Sequence, residues 1–335
     1  METLALTRIS NVLPYVRELQ AARLRMDHEL RCRSLPTMLE EESDGFIPKV
    51  PLFDCLHAVA QQACLRDLGY AAFRRWRLSC LDRDVLARVR GGSTLAERLN
   101  TFAEIGCIED TQLDVSVRVQ GPVTRIVLSQ SEDAFKGLEY SEWTQIAAAL
   151  AIVRDAAGPR VQPLQLTLQA RYRPCAEAYT EFRDAVIVGA PQTSIVIPTN
   201  LIGAKLAPAA VDSLAVDRTD QVLSELSSGR MAPRFKLVLR SYLKDGYPPI
   251  GLAAELARTS VRSLQRELAQ SGVSYSDLVQ HVRFEQATRL LTQDRTKVID
   301  VALSLGYEDA SHFSRAFKRI TGVSPRQFRT QSAAA

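Results

Sequence analysis

Long apolar runs are missing from this sequence. The longest, Ile146 to Val153, is eight residues, far short of the roughly 20 that carry a helix across a bilayer, so no membrane partner is expected. The six cysteines, at 32, 55, 64, 80, 107 and 175, form no C-x-x-C pair. That scatter disfavours both a disulfide framework and a cysteine-rich zinc site, and His312 has no partner His or Cys nearby in sequence, so no metal is expected. Neither G-x-G-x-x-G nor G-x-x-x-x-G-K-S/T occurs, so a nucleotide has no phosphate cradle. No cofactor and no catalytic residue are assigned. The opening METLALTRIS lacks a basic stretch leading into an apolar one, so export is not expected and reduced thiols in a cytoplasmic protein are.

What is present is 335 residues, 46% hydrophobic and 24% charged, which is ordinary globular material with room for two domains. The net charge of +4 conceals a split. From Gly229 to the end there are 17 Lys plus Arg against 9 Asp plus Glu, a net of +8, while the rest of the chain is acidic. A basic third on an acidic body suits a polyanion, because cations on such a patch release the counterions condensed on phosphates.

Residues 1 to about 110 read as helical, with apolar stripes in ISNVLPYVRELQAARL and in LFDCLHAVAQQACLRDLG. The second helix is expected to run to Gly69 as its C-cap. LDVSVRVQ then alternates, Gly121-Pro122 turns, and TRIVLSQ pairs back. A helix over Tyr140 to Ala157 follows, then strands over 164–172 and 194–200. From Val211 onward no strand pattern remains. The reading is a two-domain chain, with a mixed α/β (α+β) N-terminal part and an all-α C-terminal part.

The C-terminal third repeats itself at an offset of 49. Ala253, Leu256, Ala257, Leu264, Arg266 and Leu268 fall on Ala302, Leu305, Gly306, Phe313, Arg315 and Phe317. Gly272-Val273-Ser274 then falls on Gly322-Val323-Ser324, one residue later. Each copy has helix-turn-helix grammar: a short helix with a small residue, a polar turn, and a longer helix entered through a cap, Ser260 in one copy and Asp309 or Ser311 in the other. Phe313, Phe317 and Ile320 are expected on one buried stripe. The outward side carries Arg262, Gln265 and Arg266 in the first copy, and Ser311, His312 and Arg315 in the second. Arginine reads guanine, glutamine reads adenine, and Ser or His can serve either edge. Ser260 sits at the same reading end, and Lys318, Arg319 and Arg326 suit phosphates. Between the copies, Ser274 and Asp277 resemble a capping box, and Leu278, Val279, Val282, Leu290 and Leu291 form one stripe. About 18 helical residues make a spacer of roughly 27 Å, which suits two reading helices in successive major grooves.

These residues resemble the DNA-binding domain of the AraC/XylS family of bacterial transcription regulators. The likeness is carried by LAAELARTSVRSLQRELAQSG and more strongly by VIDVALSLGYEDASHFSRAFKRITGVSPRQFR. More weakly, the helical opening and VIVGAPQTSIVIPTNLIGAKL resemble the arabinose-binding-like effector domain of one branch of that family.

The resemblance implies an effector-sensing or dimerisation domain over 1–210, a connecting helix and linker over 211–228, and a DNA-binding domain over 229–330 with helix-turn-helix units near 250–270 and 298–320. It implies double-stranded promoter DNA as partner, RNA polymerase as the contact through which an activator works, a small-molecule effector, and a homodimer. Helix 211–227, through Val211, Leu214, Val222, Leu223 and Leu226, is either a dimer contact or a packing helix between domains. Two other readings stay open. One is a regulator without effector, controlled by a protein partner. The other is a DNA-repair alkyl transferase, which would need an activated thiolate that these scattered cysteines do not offer. No effector residue is assigned: Trp143, Tyr172 and Arg173 could line a pocket, but Trp and Tyr more often simply fill a core.

Overall fold

A computed structural model describes residues 4–65, 67–130, 135–183, 185–207, 209, 213–228, 230–242, 245–293 and 296–332. The chain forms two compact units, Ala5–Gly229 and Arg230–Ala335, the latter joined by Met1–Leu4.

In the first unit, β1 (Leu6–Arg8) is followed by α1 (Leu13–Ala21), α2 (Met26–Cys32), β2 (Phe46–Pro48), α3 (Lys49–Gln62), α4 (Leu68–Arg75), α5 (Arg83–Arg90) and α6 (Leu95–Ile105). Then come β3 (Leu113–Gln120), β4 (Val123–Gln130), α7 (Leu138–Ala157), β5 (Gln165–Thr167), α8 (Ala176–Glu181), β6 (Val186–Ile187), β7 (Thr193–Pro198) and α9 (Ser213–Ser227). Strands β1 and β2 pair antiparallel through Thr7 and Ile47. The other five form one sheet in the order β3-β4-β7-β5-β6, antiparallel except for β5 and β6. Gly121, at φ +62°, supplies the positive φ that a two-residue hairpin loop needs between β3 and β4. Helix α7 lays Trp143, Ile146, Leu150 and Val153 in one core with Ile126, Leu128, Leu166, Ile195 and Ile197 of the sheet.

Several elements differ from the sequence reading. Strand β5 stops at Thr167 rather than running through 172, because the backbone donors after Leu168 leave the sheet. The Gln169 and Ala170 N–H groups donate to the buried Glu142 carboxylate, at 2.5 and 3.0 Å. Helix α3 ends at Gln62, and Gly69 is not its cap but lies inside α4. A Cβ on Gly69 would stand 2.6 Å from Trp143 Cδ1, so glycine there lets α4 lie close against α7. Strands β1, β2 and β6 have three residues or fewer, too few to register as alternation. Trp143 is fully buried. Helix α9 packs within the first unit. Arg218 pairs with Asp84 of α5 at 2.5 Å, Arg88 donates to Thr219 at 2.7 Å, and Val222 and Leu223 reach the core. Val211 and the Leu214 side chain lie outside the described residues.

The second unit is helical throughout its described residues: α10 (Met231–Ser241), α11 (Ile250–Leu256), α12 (Val261–Gln270), α13 (Tyr275–Gln293), α14 (Val298–Ser304), α15 (Ala310–Thr321) and α16 (Pro325–Ser332). Helix α13 is the shared spine, packing on α10 toward one end and on α14 and α16 toward the other. Its 19 residues give a rod of about 28 Å. The Ser274 N–H donates to Asp277 at 3.2 Å and the Asp277 N–H to Ser274 Oγ at 3.1 Å, a reciprocal capping box at its start. Glu285 holds α10 to α13 by accepting from Lys236 at 2.5 Å and Arg240 at 2.8 Å.

Candidate nucleic-acid interface

The two repeat copies are two helix-turn-helix units, α11–α12 and α14–α15. Ala253 and Ala302 are both fully buried, as a close helix crossing requires, and Leu264, Leu268, Phe313 and Phe317 point into small cores. Gly272 and Gly322 follow the longer helices at φ +73° and +78°, the left-handed closure that glycine adopts without strain. The turns differ in detail. Their left-handed residue is Arg258 at φ +52° in the first copy and Gly306 at +74° in the second.

Both longer helices enter through side-chain caps. Ser260 Oγ accepts from the Ser263 N–H at 3.1 Å, and Asp309 Oδ1 accepts from the His312 N–H at 2.7 Å. Asp309, not Ser311, is therefore the cap of α15, which leaves the Ser311 hydroxyl to face outward. The His312 N–H bond also holds the Asp309 carboxyl below its ordinary pKa.

Burial of Leu264 and Leu268, and of Phe313 and Phe317, sets the outer face of each helix. Arg262, Gln265 and Arg266 are exposed on α12, and Ser311, His312, Arg315, Lys318 and Arg319 are exposed on α15. Ser260 and Arg326 are exposed as well. Arg266 makes only a loose pair with Glu267 at 3.9 Å, and its side chain is 62% exposed. Arg315 makes no ion pair among the described residues. The face of α15 thus presents Arg315, Lys318 and Arg319 without an acid from Ser311 to Ile320. A helix of this kind fits a major groove about 12 Å wide, with arginine forks for guanine edges and lysine for phosphate oxygens.

Ile320 departs from expectation. It is 49% exposed, because Phe328 of α16 packs on Phe317 with ring centroids 5.4 Å apart and completes that core without it. Sequence reasoning also missed Arg283 of α13. Its guanidinium lies 4.9 Å from the Tyr247 ring centroid and 5.3 Å from that of Tyr307, which stands in the turn of the second unit. No periodicity marks such a residue, since its role depends on two aromatic rings distant in sequence.

Residues 253–331 match a family model described as a helix-turn-helix domain. The chain is 35% identical over 107 residues to the HTH-type transcriptional regulator VqsM of Pseudomonas aeruginosa, covering 32% of this chain and 33% of that protein. It is 37% identical over 83 residues to the ornithine utilization regulator of the same organism, covering 25% and 24%. The chain thus spans about a third and about a quarter of those two relatives' own length. Against the HTH-type transcriptional regulator VirS of Mycobacterium tuberculosis it is 24% identical over 338 residues, 98% of each chain. All three relatives are named as regulators, which favours the regulator reading over the alkyl transferase one. No helix among the described residues is long and apolar enough to cross a membrane.

Proposed function

We propose that the chain is a transcriptional regulator of the AraC family and binds double-stranded promoter DNA through α12 and α15 in successive major grooves, a reading supported by the helix-turn-helix match over residues 253–331 and by the regulators it resembles. Arg262, Gln265, Arg266, Ser311, His312 and Arg315 face base edges, Lys318 and Arg319 hold phosphates, and Ser260 sets the start of α12 beside the backbone. The observation that carries this reading is the pair Arg266 and Arg315. They occupy the same slot of two capped helices, each exposed and neither held in a close ion pair.

The regulatory half of the reading assigns the first unit a small-molecule effector and a homodimer contact in the cytoplasm. An effector that binds one arrangement of the protein better than another shifts the population able to dock both reading helices. Contact with RNA polymerase then turns occupancy into activation. A mobility-shift titration on promoter DNA tests the core of this. Arg266→Ala and Arg315→Ala should each weaken binding by about 1–3 kcal/mol, and wild-type affinity should fall steeply with salt. Unchanged affinity in both variants would exclude the proposed docking.

A further inference from the structure

The first unit contains a cleft of about 1640 Å³ between α3, α4, α7 and the segment from Gln169 to Glu177. It is larger than most ligand pockets, so a small ligand would occupy part of it. The wall formed by Gln169–Glu177 is built rather than loose. Glu142 accepts the N–H groups of Gln169 and Ala170, the Trp143 indole N–H donates to the Tyr172 hydroxyl, and Asp67 accepts the Cys175 N–H at 2.7 Å. Those three anchors bracket Arg171 and Arg173, both exposed along the cleft. Fixing the backbone on either side removes the cost of ordering the segment that carries the two side chains, leaving only their own rotamers to be fixed by a ligand.

The charges along the cleft are not equally engaged. Asp67 already accepts the Cys175 and Tyr70 N–H groups, and Glu139 lies 3.5 Å from His57. Arg171, Arg173 and, on another wall, Lys136 have no ion-pair partner among the described residues. His57 Nδ1 is the atom that faces Glu139, an ion pair only when the imidazole is protonated. The apolar floor comes from Tyr70, Tyr140, Ala60 and Ala170, all buried. Free cations beside aromatic and aliphatic surface ask for an anion attached to an apolar body. A planar carboxylate matches the guanidinium fork in two parallel hydrogen bonds. A phosphate dianion is disfavoured, because Asp67, Glu139 and Glu177 line the same cleft and repel the second charge.

We propose that this cleft binds a small monocarboxylate with an apolar or aromatic body, held at its charged end by Arg171 and Arg173. The proposal rests on the reading of the chain as an effector-controlled regulator, and names the site and the ligand chemistry. The test is isothermal titration of the full chain with benzoate and hexanoate, against benzamide, hexanamide and phenyl phosphate. The carboxylates should bind about ten-fold or more tighter than their amides, the cost of losing one charge-assisted pair. The double variant Arg171→Ala/Arg173→Ala should lose that preference while melting at the wild-type temperature, because both side chains are exposed. Equal binding of the amides, tighter binding of phenyl phosphate, or no binding of any carboxylate would overturn it, and these wild-type comparisons hold even should the variant misfold. A parallel mobility shift with the same preparation keeps the two readings apart. Retained DNA binding without carboxylate binding sinks this inference alone, and lost DNA binding sinks the proposed function.

Discussion

The Arg283 guanidinium lies over the Tyr307 ring, 5.3 Å from its centroid, and also over the Tyr247 ring at 4.9 Å. One side chain of the spine thus ties the turn of the second helix-turn-helix unit to the segment that precedes the first. Its Nε is buried without a hydrogen bond and it makes no ion pair among the described residues, so contact with the two tyrosines anchors it. Replacing it with alanine should lower stability by about 1–2 kcal/mol and weaken DNA binding, although the residue lies on neither reading helix. Lysine should rescue little, because it keeps the charge but loses the planar stack. Chemical unfolding and a DNA titration on both variants would decide this, and wild-type behaviour of the alanine variant would contradict it.

The two caps separate positioning from reading. Ser260→Ala and Asp309→Ala each free a backbone N–H at the mouth of a reading helix and should cost about 1 kcal/mol of stability. Their effect on affinity should be uniform across a panel of operator variants, since a cap carries no base information. Arg315→Ala should instead relax discrimination at particular base pairs. A cap variant that altered base preference would mean that its side chain itself reaches a base.

Gly69 supplies a test confined to the first unit. An added Cβ would stand 2.6 Å from Trp143 Cδ1 and 3.2 Å from Tyr140 Cδ1, and neither ring can yield within a packed core. Gly69→Ala should destabilise that unit by about 1–3 kcal/mol, in the range of overpacking. It should also loosen the carboxylate cleft, because Tyr140 is part of its floor. Melting followed by tryptophan fluorescence reads this directly, Trp143 being the ring displaced. An unshifted transition would show that α4 can move aside.

The second unit was largely legible in the sequence because its information is local and doubled. Ala253 with Ala302, Leu264 with Phe313 and Leu268 with Phe317 declare buried positions twice, and all are buried. Ser274 and Asp277 announce a cap within four residues. What escaped depends on long-range partners. Ile320 is displaced from the core by Phe328 of the next helix, and Arg283 has meaning only between Tyr247 and Tyr307. In the first unit, β5 is cut short by a carboxylate from α7 at Glu142, which no alternation pattern can reveal. The outward residues of α12 and α15 could be named from spacing. Which residue caps α15 was not legible from spacing, and the structure makes it Asp309 rather than Ser311.

Glu285 gives the second unit a pH signature whose sign can be worked out. Burial pushes its carboxyl upward, but hydrogen bonds from Arg240 and Lys236 outweigh that and hold it below its ordinary value. His281 Nε2, 3.4 Å away, adds a third cation only when protonated. A depressed carboxyl contributes stability that is present above its unfolded pKa, about 4.3, and is lost as pH falls through the lower folded value. Glu285→Gln should therefore cost about 1 kcal/mol at neutral pH, a modest figure because the carboxylate is partly exposed and screened. The gap to wild type should close once the pH drops below about 4. Melting curves of both proteins between pH 3 and 8 would show it. A gap that stayed constant across that range would mean that Glu285 joins α10 to α13 by shape rather than by charge.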